Sequence, residues 1–296
     1  MGKIAVLGSL NMDTCCRVAH IPAPGETIMA KSFEKNPGGK GGNQAVAAAK
    51  MGADVVMIGC VGADGDGEAL RRSLQAAGVC TDGLENCGQQ TGSAFICVSD
   101  DAENNIVVHA GANACVDAGV LDRQKQSMMG AQICAMQLEI PHETVWEALR
   151  RCKVSGVTTV LNPSPMCEIP EEALKGLDVL VPNEMEMAAL LGHEVSEDAD
   201  ELSRYAQEKG IRCILMTRGE AGCDVVTAQG VRHFSCAPVN AVDTTGAGDT
   251  FLGAFCAMIA ENRPIEEAIA VAQRAAGWTV RHMGAQQAMP FRSDIL

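Results

Sequence analysis

The sequence predicts an α/β protein: a mostly parallel sheet with helices on both faces and a small β extension. Three observations carry that reading. From residue 131 onward, strand patterns alternate regularly with helical ones. The strand candidates are short runs of apolar residues, as expected of strands buried in a sheet covered on both faces. Finally, Asp243-Thr-Thr-Gly246-Ala-Gly248-Asp249-Thr250 leads directly into the apolar run Phe251–Ile259, a glycine turn opening onto a buried helix that should start near Asp249 or Thr250.

In chain order, Ile4–Leu7 reads as a buried strand ending in Gly8-Ser9. Asn11 and Asp13 follow where a parallel strand would hand over to a loop, the place where open α/β sheets collect ligands, although ordinary turn chemistry uses the same residues. Residues 14–35, with Pro22, Pro24 and Gly25 between β-leaning stretches, read as a hairpin or sheet extension. Gly38-Gly39-Lys40-Gly41-Gly42-Asn43-Gln44 then opens an alanine-rich helix. Val55–Val61 is a second buried strand, followed by an acidic glycine turn and an amphipathic helix over Glu68–Ala77. That turn lacks the spacing and terminal glutamate of an EF-hand. Residues 91–99 and 104–109 flank the polar turn 100–103 and form a hairpin that would join 14–35 in a small antiparallel sheet.

Further strands are expected at Ala131–Leu138, Val157–Leu161, Val179–Val181, Cys213–Thr217 and Gly222–Val226. Helices are expected near 142–153, 184–192, 198–209 and 264–282. Polar residues stand at three strand ends: Glu139, Asn162 with Ser164, and Asn183 with Glu184 and Glu186. With no repeat and no low-complexity linker, residues 1–296 are expected to form one α/β domain carrying the β extension.

Composition narrows the function. A net charge of −14 disfavours a nucleic-acid partner, which requires a basic surface. No apolar run of about 18 residues suggests a membrane span, and the N-terminal residues read as a strand rather than a secretion signal. The fourteen cysteines are scattered without a C-x-x-C pair, and the six histidines form no H-E-x-x-H. Reduced thiols in a cytoplasmic protein fit better than a disulfide framework or a zinc site.

The motifs point to phosphate chemistry. Glycines before a helix leave the backbone open to a phosphate, and the first free N–H groups of that helix present the positive end of its dipole. The loop around Lys40 is not a Walker A sequence, because Glu34 stands where its first glycine would be and Gly41 where it needs Ser or Thr. Neither glycine loop completes a dinucleotide G-x-G-x-x-G, since Gln44 and Phe251 occupy the third glycine position.

The two glycine segments, together with Gly8-Ser-Leu-Asn11-Met-Asp13, His109-Ala-Gly-Ala-Asn113, Met136-Gln-Leu-Glu139, Leu161-Asn-Pro-Ser-Pro165 and Pro182-Asn-Glu184, occur in an order that resembles the ribokinase-like family of carbohydrate kinases. The resemblance spans nearly the whole chain. It implies a three-layer α/β/α sandwich with a β-sheet lid built from about 14–35 and 91–109, the lid also forming a homodimer contact. It further implies transfer of the ATP γ-phosphate to the 5-hydroxyl of D-ribose, since Asn11, Asp13 and Glu139 favour ribose within the family.

Roles follow from the resemblance by position. Asn11, Asp13, Gly39, Lys40, Asn43 and Glu139 match residues that hold the sugar, and Asp249 matches the catalytic base. Gly246, Ala247, Gly248 and the Asp249 backbone match the anion hole. Asn183, Thr217, Arg218, Gly219, Glu220, Ala221, Gly222 and Gln273 match the nucleotide side, and Glu186 completes an N-x-x-E linked to Mg2+. Asp243, with the carbonyls of Thr245, Thr279, His282 and Gly284 and at most the backbone of Ala288, matches a K+ site. A capping or turn role for Asp243 is the plain alternative. The same motifs permit a kinase for another sugar or nucleoside, and the fold also permits a non-catalytic sugar or nucleotide sensor.

Overall fold

The computed structural model describes residues 2–101, 103–196 and 199–296. Strand β1 (Lys3–Leu7) runs into β2 (Asn11–Arg17), which pairs antiparallel with β3 (Ser32–Gly38). After a helix over Lys40–Lys50 come β4 (Asp54–Gly62) and β5 (Cys80–Cys87), then β6 (Gly92–Val98) and β7 (Asn104–His109). Strands β8 (Ile133–Met136), β9 (Thr158–Leu161), β10 (Val179–Leu180) and β11 (Cys213–Thr217) alternate with helices. Strands β12 (Cys223–Thr227) and β13 (Gly230–Phe234) close the set.

Nine strands form one sheet in the order β13-β12-β11-β10-β9-β8-β1-β4-β5, parallel from β11 to β5 with β12 and β13 antiparallel at one edge. Two apolar layers cover it. Ile4, Val6 and Met57 pack with the helices Lys40–Lys50, Ala247–Ala260 and Ile265–Thr279. Ala5, Leu7 and Ile58 pack on the opposite side with the helix His142–Ser155 and residues 112–128. Successive strand residues alternate between two covered faces, so the strands can be apolar throughout. The result is the α/β/α sandwich expected from the sequence.

A second sheet, in the order β3-β2-β6-β7, is the lid. It differs from expectation in two ways. The β2–β6 pairing is parallel, so the sheet is mixed rather than antiparallel. Its strands also begin at Asn11 and reach Gly38, so Asn11 and Asp13 are strand residues of the lid rather than loop residues beyond β1. Of the expected hairpin turn 100–103, Ala102 lies outside the described residues, as does the expected start at 198 of the helix now seen over Ala199–Lys209.

Other boundaries moved for local reasons. Asp64 caps a helix over Gly65–Ala76 by accepting from Gly67 N at 2.8 Å, so the acidic glycine turn is the helix entrance. The helix expected over 264–282 spans Ile265–Thr279. Edge strands β5 and β13 were not expected, because edge position lets them carry polar and exposed residues. The short helices Ala118–Arg123 and Lys125–Met129 were likewise not expected.

Candidate active site

The site forms beneath the lid, where β1 and β8 end and two helices begin. The helices Lys40–Lys50 and Ala247–Ala260 cross closely because Gly253 has no side chain; a Cβ there would sit 2.6 Å from both the Ala47 Cβ and the Gln44 carbonyl oxygen. That contact sets Asn43 and Gln44 beside Asp249. Asn43 Nδ2 donates to Asp249 Oδ2 and Gln44 Nε2 to Asp249 Oδ1, both at 2.9 Å. Lys40 N donates to Glu139 Oε2 at 3.0 Å, and the Ser9 hydroxyl donates to the same oxygen. From the lid, Asn11 Oδ1 accepts from Asn113 Nδ2 at 2.8 Å.

Three carboxylates therefore face one another across this space. Burial, reinforced by the charges of Glu139 and Asp249, pushes the Asp13 carboxyl up to about 7. Burial also raises Asp249, which is 8% exposed, although Lys40 and the amides of Asn43 and Gln44 oppose the shift. The Asp249 environment is thus less favourable to its charge than a helix N-terminus alone would predict. A carboxylate raised in this way is a better proton acceptor when ionised.

The helix expected to start at Asp249 or Thr250 begins at Ala247. Gly246 occupies the preceding position with φ 73°, a left-handed conformation natural to glycine. Asp249 is consequently inside the first turn and does not cap the helix. The N–H groups of Gly246, Gly248 and Asp249 have no protein acceptor among the described residues, whereas Ala247 N already donates to the Thr244 carbonyl at 3.2 Å. Ala247 is therefore the weakest of the four expected anion-hole donors.

Two adjoining cavities meet at this helix start. The first, about 260 Å³, is lined by Lys40, Asn183, Glu186, Gly246, Gly248 and Asp249, among others. The second, about 410 Å³, takes Thr217, Gly219, Glu220, Gly222, Gln273 and Val280 into its wall. The first is polar and suits phosphates; the second carries apolar surface suited to a base. Arg218 and Ala221 line neither one. Arg218 Nε instead lies 3.2 Å from Asp224 and 3.4 Å from Glu184. Gln273 borders the second cavity, but its Nε2 donates to the Phe234 carbonyl at 2.8 Å and so ties β13 to a helix. Asn183 and Glu186 form a capping box, each side chain accepting from the other's backbone N–H at 2.8 Å.

Asp243 sits beside the first cavity in a loop held to the C-terminal segment. Its Oδ1 accepts from Thr245 N and Oγ1, and its Oδ2 from Gly284 N at 2.8 Å. Burial works to raise its carboxyl, but these donors and the charge of Arg17 hold it below the ordinary carboxylate value. No lysine or arginine is near it in sequence, but the lid strand supplies Arg17. Among the described residues the carbonyls of Thr245, His282, Gly284 and Ala288 accept no hydrogen bond, whereas that of Thr279 accepts from His282 N at 3.0 Å.

Several side chains were not assigned from the sequence. Ser9 holds Glu139, Asn113 ties the segment after β7 to the start of β2 through Leu10 and Asn11, and Gln286 Nε2 donates to Asn43 Oδ1 at 3.1 Å. Gln44 and Gln137 lie beneath Asp249. Asn162 and Ser164, noted as polar strand ends, line the first cavity. Asn113 and Gln137 fell inside recognised segments; nothing marks Gln286.

A carboxylate in the first turn of a helix with free N–H groups, between the polar cluster of Asp13, Lys40, Asn43 and Glu139 and two adjoining cavities, one polar and one partly apolar, defines a phosphotransferase acting on a small hydroxylated acceptor. The pattern of the pfkB family of carbohydrate kinases matches residues 1–292, and the chain belongs to that family. The ribokinase of Haemophilus influenzae is 36% identical over 296 residues, covering 99% of this chain and 97% of its own. The deoxyribokinase of Salmonella typhi is 34% identical over 97% of this chain and 95% of its own. The structure of Arabidopsis thaliana ribokinase complexed with ribose and ATP superposes with a TM-score of 0.92 at 30% identity, over 99% of this chain and 97% of that one. Among the described residues no helix is long and apolar enough to cross a membrane.

Proposed function

We propose that this chain is an ATP-dependent ribokinase that transfers the γ-phosphate to the 5-hydroxyl of D-ribose. The observation that carries the reading is the position of Asp249, shared between the sugar-side carboxylates and the phosphate-sized cavity. Asn11, Asp13, Lys40, Asn43 and Glu139 hold the sugar hydroxyls, with the backbone of Gly39. Asp249 accepts the proton of the attacking hydroxyl. The N–H groups of Gly246, Gly248 and Asp249, with a lesser share from Ala247, stabilise charge on the transferring phosphoryl. Its transition state is loose, so alignment and charge stabilisation carry most of the catalysis. Thr217, Gly219, Glu220 and Gly222 border the nucleotide, with Gln273 at the wall.

Metal ions fit this arrangement. Bound Mg2+ would neutralise phosphate charge, held largely through water, with Glu186 near it and Asn183 fixing Glu186. K+ would lie against Asp243 and the unpaired carbonyls of Thr245, His282 and Gly284, bracing the loop 243–248; the Thr279 carbonyl, already hydrogen-bonded, contributes less, and Ala288 offers at most its free backbone carbonyl. Turnover should rise selectively with K+ over Na+ or a bulky organic cation at constant ionic strength. Asp243→Asn should lose that selectivity, and equal rates in all three salts would remove the site.

The deoxyribokinase relative motivates a second reading, with deoxyribose as acceptor. An ADP-release screen with ATP and Mg2+ across ribose, deoxyribose, fructose, ribulose, adenosine and pseudouridine decides between them. No turnover on any acceptor would refute both.

One domain with an inserted lid, acting in the cytoplasm as a homodimer, completes the proposal. The lid leaves Phe33, Phe95 and Val107 exposed on the face opposite Asp13, and Ile106 and Val108 on the Asp13 face. Such apolar exposure supports self-association. Sedimentation should give a dimer that Phe95→Lys shifts toward monomer; a wild-type monomer at micromolar concentration would rule the contact out.

A further inference from the structure

The strongest unassigned feature is a chain of two buried amides beneath Asp249. Gln44 is 1% exposed and Gln137 is 0% exposed. Gln44 Nε2 donates to Asp249 Oδ1 at 2.9 Å, and Gln137 Nε2 donates to Gln44 Oε1 at 2.5 Å. Among the described residues Gln137 Oε1 is buried without a partner, packed so tightly against Gly8 that a Cβ there would lie 1.9 Å away.

The direction of this chain follows from chemistry. An ionised carboxylate only accepts, so Gln44 must turn its NH2 toward Asp249 and its carbonyl away. Gln137 must then present its own NH2 to that carbonyl, leaving its Oε1 without a donor. Flipping Gln44 would set a carbonyl against the carboxylate, and the Gln137 donor blocks that flip. An unsatisfied buried acceptor is unfavourable and uncommon; here it is what remains when both amides are committed to orienting one carboxylate.

We propose that Gln44 and Gln137 are positioning residues for phosphoryl transfer: Gln44 fixes the Asp249 carboxylate jointly with Asn43, and Gln137 locks the orientation of Gln44. The proposal rests on Asp249 as the base. The charged groups facing that carboxylate are Lys40 on the neighbouring helix, Glu139 after β8 and Asp13 on the lid. All three remain in the variants below.

The test uses Gln44→Met and Gln137→Met, which keep the volume and remove the amide. Each should lower kcat on ribose by about tenfold or more with a smaller change in ribose KM, and each should move the acid limb of the kcat–pH profile to higher pH, because a donor to the ionised form is lost or misdirected. The double variant should be no worse than Gln44→Met alone, since the two residues act in series. Gln44→Asn, which retains an amide, should recover part of the loss and also serves if Gln44→Met does not fold. An unmoved acid limb or additive losses, alongside an inactive Asp249→Asn, would overturn the amide chain while leaving the base assignment standing. An active Asp249→Asn would overturn both.

Discussion

Asp249→Asn should reduce turnover on ribose by roughly 10²–10⁴-fold, the usual contribution of a positioned general base. The substitution has nearly the same shape, but it replaces an acceptor oxygen with a donor. Asn43 Nδ2 and Gln44 Nε2 each donate to one oxygen of Asp249, so one must lose its partner or flip its amide. Nucleotide binding should be largely retained, because the N–H groups at the helix start belong to the backbone. Single-turnover kinetics and ATP calorimetry on the same preparation would separate chemistry from binding. Turnover near the wild-type rate would remove Asp249 from the mechanism.

Asp13→Asn should have two effects of opposite sign. Ribose affinity should fall by about 1.5–3 kcal/mol, the worth of a hydrogen bond to a charged group. The sugar-free protein should nevertheless become more stable at alkaline pH. With its carboxyl raised from an ordinary 3.8 to about 7, the native chain keeps a proton that the unfolded chain releases between those values. Stability therefore falls as pH rises through that window, by up to about 1.4 kcal/mol per unit. The amide of the variant carries no charge to bury, so the gain should appear at pH 8 and vanish near pH 4. Melting curves at the two pH values, beside ribose calorimetry, test this; equal melting shifts at both would mean that Asp13 is not strained in the empty site.

The sequence disclosed much of this arrangement because its chemistry is local. A glycine turn before an apolar helix is visible in eight residues, and buried parallel strands advertise themselves as apolar runs. Edge strands β5 and β13 did not, since solvent on one side permits Asp82, Asn86, Arg232 and His233 within them. Placing Asn11 and Asp13 after β1 also failed, because a strand of the lid needs only backbone pairing with β3 and β6. The start of the helix at Ala247 depends on Gly246 adopting φ 73°, a choice that Gly248 could equally have made. The roles of Gln44, Gln137 and Gln286 were illegible for another reason: each acts on a residue between 93 and 243 positions away, so even the motifs that contain Gln44 and Gln137 do not show their partners, and Gln286 lies in no motif.

The sugar-side groups are divided between two bodies of secondary structure. Asn11 and Asp13 belong to the small sheet, whereas Lys40, Asn43, Glu139 and Asp249 belong to the sandwich. A pentose touching both sets acts as a rivet, and its hydroxyls become thermodynamically coupled through the joint they fasten. Removing one hydroxyl from the acceptor then loosens the contacts of the others as well. Discrimination among closely similar sugars should consequently exceed the worth of the single missing hydrogen bond.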